Sequence, residues 1–293
     1  MTDPSTQSPA ARGSAFQRFL KAGIVPRLAV ILVGVPCLFV ITLRGGVFFL
    51  LLVSLIIFLG LREFYQLMKA KGYQPFEALG YFCALAISVY AWRQGLAVPL
   101  ILTGSLLAIM IREVFRKEMA RSLDHMAVTV FGIMYVGWLG SHLVTLRQLP
   151  AAVGVEDNIG ARLVFLAALL TWATDTAAYL FGVAFGRHKL IPRISPNKTV
   201  EGGVGGLLGA ALVGWICTRT FTPFLTPFAG VMLGLAVGVV AQLGDLVESL
   251  IKRDAGLKDS AELIPGHGGV LDRFDSLLFT VPVLYYYFRL FIL

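Results

Sequence analysis

The residues best suited to chemistry lie between Ser249 and Ser276. Nine of these 28 residues are Lys, Arg, Asp or Glu, in a chain where such residues make up 14%. Apolar runs long enough to cross a bilayer flank the segment. Asp272 and Asp275 are three apart and share a face if a helix has begun there. Upstream, Gln242, Asp245, Ser249 and Lys252 recur at helical spacing and form one polar stripe, widened by Glu248. A polar stripe on an apolar helix must face a cavity or another polar helix. Carboxylates converging from two segments suit a hard divalent cation, and Mg2+ takes one or two carboxylates together with substrate phosphate oxygens. Asp245, with Asp272 and Asp275, therefore supplies candidate carboxylates for a metal ion. The plainer alternative for Asp245 is an interhelical hydrogen-bond network. That alternative weighs more for Asp175, an acid inside the apolar run 163–181.

Other residue types in the neighbourhood point to phosphate. Gly266, Gly268 and Gly269 would let backbone N–H groups approach a phosphate closely. His267 reads as a general base, as a phosphate-orienting donor or as a loop fastener. Lys252, Arg253, Lys258 and Arg273 either neutralise phosphates or are ordinary loop charge. Ser195, Asn197, Lys198 and Thr199 offer further donors around Pro196, with Glu201 as another acid. Thr199 and Glu201 would alternatively cap a following helix. That helix is rich in glycine over 202–209, a pattern of close helix packing. Cys37, Cys83 and Cys217 are too far apart for a zinc site or a disulfide framework. The absence of a His/Cys cluster argues against zinc, and His125, His142 and His188 read as structural.

Membrane-spanning elements must position these groups. The chain has 293 residues, 57% of them hydrophobic, and a mean hydropathy of +0.79. A soluble domain would be about 45–50% apolar, and crossing the hydrocarbon takes roughly 20 mostly apolar residues. The expected fold is all-α: a polytopic membrane protein with about nine transmembrane helices. They fall near 28–43, 46–61, 77–92, 96–111, 126–146, 163–186, 203–218, 228–248 and 276–293. Residues 1–24 read as a disordered cytosolic tail without the apolar core of a cleavable signal. Residues 25–160 form an N-terminal region of about five helices, and 161–293 a catalytic region with cytoplasmic loops 187–202 and 249–275. Nineteen of the 25 Lys and Arg residues fall on one side of this scheme. Basic side chains favour the cytoplasm, so the N-terminus is expected inside and the C-terminus outside. The net charge of +8 is then loop charge at a membrane, and nucleic acid is not an expected partner.

The segment Ser249 to Asp275 resembles the signature of the phosphatidate cytidylyltransferases, also called CDP-diacylglycerol synthases. That pattern reads Ser-x-apolar-Lys-Arg, four residues, Lys-Asp, then a spacer ending in His-Gly-Gly-apolar-x-Asp-Arg-apolar-Asp. Ser249, Lys252, Arg253, Lys258, Asp259, His267, Gly268, Gly269, Asp272, Arg273 and Asp275 match it. The blocks 175–179 and 195–202 are also similar, so the resemblance covers roughly residues 165–285. It implies a Mg2+-dependent nucleotidyltransferase that converts CTP and phosphatidic acid to CDP-diacylglycerol and pyrophosphate in phospholipid biosynthesis. It further implies a second, monovalent cation such as K+, a homodimer, contact with membrane lipids, and a bacterial cytoplasmic (inner) membrane with the site facing the cytoplasm.

On that resemblance Asp245, Asp272, Lys252 and His267 are catalytic, and Asp245 and Asp272 hold the metal. Ser195, Asn197, Lys198, Thr199, Glu201, Arg253, Lys258, Asp259, Gly268, Gly269, Arg273, Asp275 and Asp175 meet the substrates. Asp175 lines a lipid-side cavity or supports the ligands. The phosphatidate phosphate is already anionic, so the site must chiefly position groups and offset charge. Two rivals stay open. A CTP-dependent kinase of a lipid alcohol would use His267 as a base. A transporter would use Asp175 and Asp245 as coupling sites, although no inverted repeat is evident.

Overall fold

The computed structural model describes residues 34–93, 98–152, 158–257 and 269–292. The expected tail 1–24, the first part of the expected span 28–43, and Lys258, Asp259, His267 and Gly268 lie outside the described residues.

Among the described residues ten α-helices and one β-hairpin follow in order. They are α1 (Val35–Arg44), α2 (Gly46–Ala70), α3 (Glu77–Trp92), α4 (Val98–Val114), α5 (Ser122–Gly132), α6 (Leu139–Ala152) and α7 (Asn158–Phe185). The hairpin β1 (Lys189–Ile191) and β2 (Ser195–Thr199) comes next, then α8 (Val200–Thr220), α9 (Pro227–Asp254) and α10 (Leu271–Phe291). A π-helical turn, Ile133–Trp138, joins α5 to α6, so Ser122–Ala151 runs on as one helix of membrane length. That helix and α2, α7, α8 and α9 are long and apolar enough to cross a bilayer, and α3 is apolar but shorter. Large apolar side chains such as Phe48, Leu51, Leu100, Val183 and Leu212 stand exposed on their outer faces. This is the reverse of a soluble surface, and the chain is a helical membrane protein.

Several helices run beyond the expected limits, and three of these extensions bear on the polar segments. α2 continues past residue 61 to Ala70, α9 past 248 to Asp254, and α10 begins at Leu271 rather than 276. Arg62, Glu63, Gln66, Leu67 and Lys69 are good helix formers. The backbone bonds of a helix need no lipid, so it continues after the hydrocarbon ends. The expected loops 187–202 and 249–275 shrink accordingly. The first becomes the antiparallel hairpin, Lys189 opposite Thr199 and Ile191 opposite Ser195, and then the first residues of α8. This hairpin is the departure from an all-α chain.

Close approach of backbones holds the C-terminal half together. α8 packs most extensively on α7 and α9, and α10 packs on α9 and α6. A Cβ on Gly206 would lie 3.0 Å from the Thr174 carbonyl and 3.3 Å from the Gln242 amide nitrogen. A Cβ on Gly214 would run into the Gly230 carbonyl of α9. Lipid tails are as apolar as leucine, so such tight contacts, not apolar burial, drive helices together in a bilayer.

Helix ends meet in two groups. At one end of α2, Lys71 donates to Asp254 at 2.5 Å, and Glu63 accepts from the first residues of α10. At the other end, the buried Arg147 donates from Nε to the Thr42 carbonyl at 2.9 Å and from Nη2 to the Leu43 carbonyl at 3.1 Å. It thereby satisfies carbonyls that the end of α1 would leave free.

Candidate active site

α9 carries the site. Thr226 caps it by accepting the Ala229 N–H at 3.2 Å, and Pro227 occupies its first turn. Its polar stripe meets three other elements in turn. The Gln242 amide donates to the Gly203 carbonyl of α8 at 3.2 Å and to Gly238 at 3.0 Å. Asp245 Oδ2 stands 2.6 Å from Lys198 Nζ of β2, and Ser249 Oγ donates to Asp245 Oδ1 at 3.4 Å. Lys252 Nζ lies 2.5 Å from Glu248 Oε2 and donates to Asp272 Oδ1 of α10 at 3.1 Å. The stripe read from spacing is real, and each residue in it faces a polar partner.

Two adjoining groups result. The first surrounds a cavity of about 480 Å³ between α7, the hairpin, α8 and α9. Asp175, Asn197, Lys198, Thr199, Gln242 and Asp245 line it, and Gly202 and Gly203 leave it room. Asp245 is near enough to Asp175 and Asp275 for their charges to repel. The second group is the Glu248–Lys252–Asp272 triad, in which the Glu248 side chain is only 1% exposed. A buried charge in a membrane protein is costly and marks function by default. Lys198 and Lys252 offset the excess of carboxylates in the two groups.

Among the described residues no group of three or more His, Cys, Asp or Glu is arranged as a ready-made metal cage. Asp245 and Asp272 are single oxygen donors of the kind Mg2+ takes together with waters and phosphate oxygens, and here each faces a lysine.

The remaining expected residues divide. Thr199 lines the cavity and also caps α8, its Oγ1 accepting the Gly202 N–H at 3.1 Å. The Glu201 carboxylate accepts the Arg187 N–H at 3.1 Å and the His188 N–H, and lies 2.6 Å from His188 Nδ1, closing the hairpin. Ser195 pairs with Ile191 and does not line the cavity. Arg253 Nε donates to the Ile194 carbonyl at 3.3 Å and ties the end of α9 to the hairpin. The Gly269 N–H donates to Asp272 Oδ2 at 3.0 Å. Asp275 is buried, with its Oδ1 accepting the Ser276 N–H at 2.6 Å, and Arg273 is exposed on the first turn of α10.

Two further side chains reach these groups from the N-terminal half. Glu63 of α2 accepts the Val270 and Leu271 N–H groups. Tyr135, in the π-helical turn, has a buried hydroxyl without a hydrogen-bond partner among the described residues, within electrostatic reach of Glu248, Asp275 and Asp245. Neither was expected. Glu63 follows Arg62 at the end of an apolar run and reads as loop charge, and Tyr135 is hidden inside one. The available signal was an acid placed within helical reach of an apolar stretch.

Comparison with known proteins places the chain in a family. The model of the family described as Cytidylyltransferase family matches residues 25–291. The chain is 36% identical over 284 residues to a phosphatidate cytidylyltransferase of Synechocystis sp., covering 89% of this chain and 95% of that one. It is 35% identical over 240 residues to the phosphatidate cytidylyltransferase of Bacillus subtilis, covering 82% and 81%. It is 33% identical over 246 residues to that of Staphylococcus aureus, covering 83% and 91%.

Proposed function

Because this chain belongs to the cytidylyltransferase family, we propose that it transfers CMP from CTP to phosphatidic acid, giving CDP-diacylglycerol and pyrophosphate for phospholipid biosynthesis. The observation that carries this reading is the face of α9 that presents Asp245 beside Lys198 and Lys252 beside Asp272. Alternating carboxylates and ammonium groups at a membrane helix end match a polyphosphate with its cation and a lipid phosphate.

The phosphatidate oxygen attacks the α-phosphorus in line, the bond to the β-phosphate oxygen breaks, and pyrophosphate leaves. The nucleophile is already anionic, so the site needs no strong base. Lys198, Lys252, Arg253, Lys258 and Arg273 neutralise triphosphate and lipid phosphate, which is the main demand of phosphoryl chemistry. Asn197 and Thr199 give donors at the cavity wall, and Asp175 lines the same cavity. Glu201 holds the hairpin beside the cavity, and Gly269 and Asp275, with Asp259 and Gly268 from outside the described residues, are assigned to the nucleotide on the family resemblance. His267 orients phosphate. Mg2+ held by Asp245 and Asp272 would add positive charge at the transferring group, with a monovalent cation such as K+ nearby.

The finer architecture belongs to the same reading. Nine spans run with the N-terminus in the cytoplasm and the C-terminus outside, in a bacterial inner membrane and as a homodimer. The hairpin and the 249–275 segment then face the cytoplasm, where CTP is found.

The deciding assay is purified protein with phosphatidic acid and CTP, with and without Mg2+, followed for pyrophosphate and lipid product. CDP-lipid with pyrophosphate is expected. Lipid phosphate with CDP, formed from a lipid alcohol, would replace this reading with a CTP-dependent lipid kinase.

A further inference from the structure

α10 begins without a capping bond from its own N-cap residue. Its N-cap residue is Val270, whose side chain makes no capping bond. The first amides of a helix have no acceptor within it and need one from outside. Here the acceptor comes from α2, about two hundred residues earlier. Glu63 Oε1 accepts the Val270 N–H at 2.8 Å and Oε2 accepts the Leu271 N–H at 2.8 Å. The next group in this turn, Asp272, turns its own Oδ2 back onto the Gly269 N–H at 3.0 Å. Three successive amides, 269 to 271, are thus each taken by a carboxylate. The same Asp272 holds Lys252 through Oδ1.

We infer that Glu63 is a positioning residue for the transfer reaction: its carboxylate fixes the turn from which Asp272 projects toward Lys252. Two bonds from one rigid, planar group set both the place and the orientation of that turn. The stem of Glu63 is itself immobilised, since Glu63 is 4% exposed and its neighbours Leu61, Phe64 and Leu67 are at most 1% exposed. The N-terminal half of the chain therefore contributes to the site as well as to the bundle. The inference rests on the proposed role of Asp272.

Glu63→Gln is the sharpest probe. Gln keeps one acceptor oxygen and replaces the other with an NH2 group that cannot accept, so one of the two amides loses its partner. Glu63→Asp keeps both oxygens on a stem one methylene shorter. Both variants are compared with the wild-type full-length protein in mixed micelles of phosphatidic acid and detergent. In Glu63→Gln, kcat is expected to fall about 10- to 100-fold, the penalty of a small misplacement. The KM for CTP should stay within about threefold. Amide hydrogen exchange at Val270 and Leu271 should speed up by about tenfold, while that of α7 and α8 is unchanged. Glu63→Asp should retain more turnover than Glu63→Gln.

A wild-type kcat in Glu63→Gln would overturn the inference. So would a loss of turnover that tracks a general loss of exchange protection, because that is the signature of a merely structural cap. If Glu63→Gln does not fold, Glu63→Asp carries the same readouts, and wild-type turnover with faster exchange at Val270 and Leu271 would overturn the inference. A wild-type protein that makes no CDP-lipid would instead sink the proposed function, and the exchange arm would still report whether Glu63 holds the turn.

Discussion

At the scale of single residues, the proposed chemistry rests on carboxylates that have partners but are not neutralised by hydrogen bonds alone. Asp245 has Lys198 on one oxygen and Ser249 on the other, with Asp175 and Asp275 repelling it. Asp245→Asn removes the charge and keeps the shape. It is expected to lower turnover by about 10²- to 10³-fold, the scale of losing one electrostatic stabiliser, with the elution volume of the purified protein unchanged. Turnover near the wild type at ordinary Mg2+ would remove Asp245 from the machinery. Asp272→Asn should behave the same way. Asp175→Asn should cost less, about tenfold in kcat/KM, because Asp175 lines the cavity without an ion pair among the described residues. The acids of α9 and α10 were legible from spacing because both segments are helical, and helical spacing fixes which residues share a face. Glu63 and Tyr135 were not legible. Their roles come from helices that meet across the fold, and no local pattern encodes that meeting.

At the scale of elements, α8 is the piece that permits the site. Its glycines let α7 and α9 approach from both sides, which brings Asp175 and Asp245 to one cavity. Gly214→Leu would force α8 away from the Gly230 carbonyl. Overpacking of this kind costs about 1–3 kcal/mol, so the thermal midpoint in detergent should fall and activity should fall with it. An unchanged midpoint would mean that α8 and α9 are free to slide. The apolar runs that became helices were legible, since composition and length suffice in a bilayer. Their polar ends were not, because charged residues beyond the hydrocarbon look like loop while remaining helical. The hairpin was equally hidden. Its residues, Lys189 to Thr199, lack apolar alternation, and its shape is held by Glu201 gripping His188 and Arg187.

At the scale of the whole molecule, the proposed arrangement predicts that a reporter fused after Leu293 behaves as external. Cytoplasmic behaviour there would imply an even number of spans and would undo the assignment of the hairpin to the cytoplasm. One feature of the cavity governs how the protein must behave kinetically. Tyr179 and Val183 line it on the same helix as Asp175, and they are 71% and 72% exposed. Under the proposed function, such a cavity would be a doorway between two phases: a water-borne nucleotide would enter past the hairpin, while the lipid partner would slide in sideways and its product slide out the same way. Velocity should then follow how crowded phosphatidic acid is within the bilayer plane. Adding inert phosphatidylcholine at a fixed bulk amount of phosphatidic acid will slow the reaction, although no concentration measured per litre has changed.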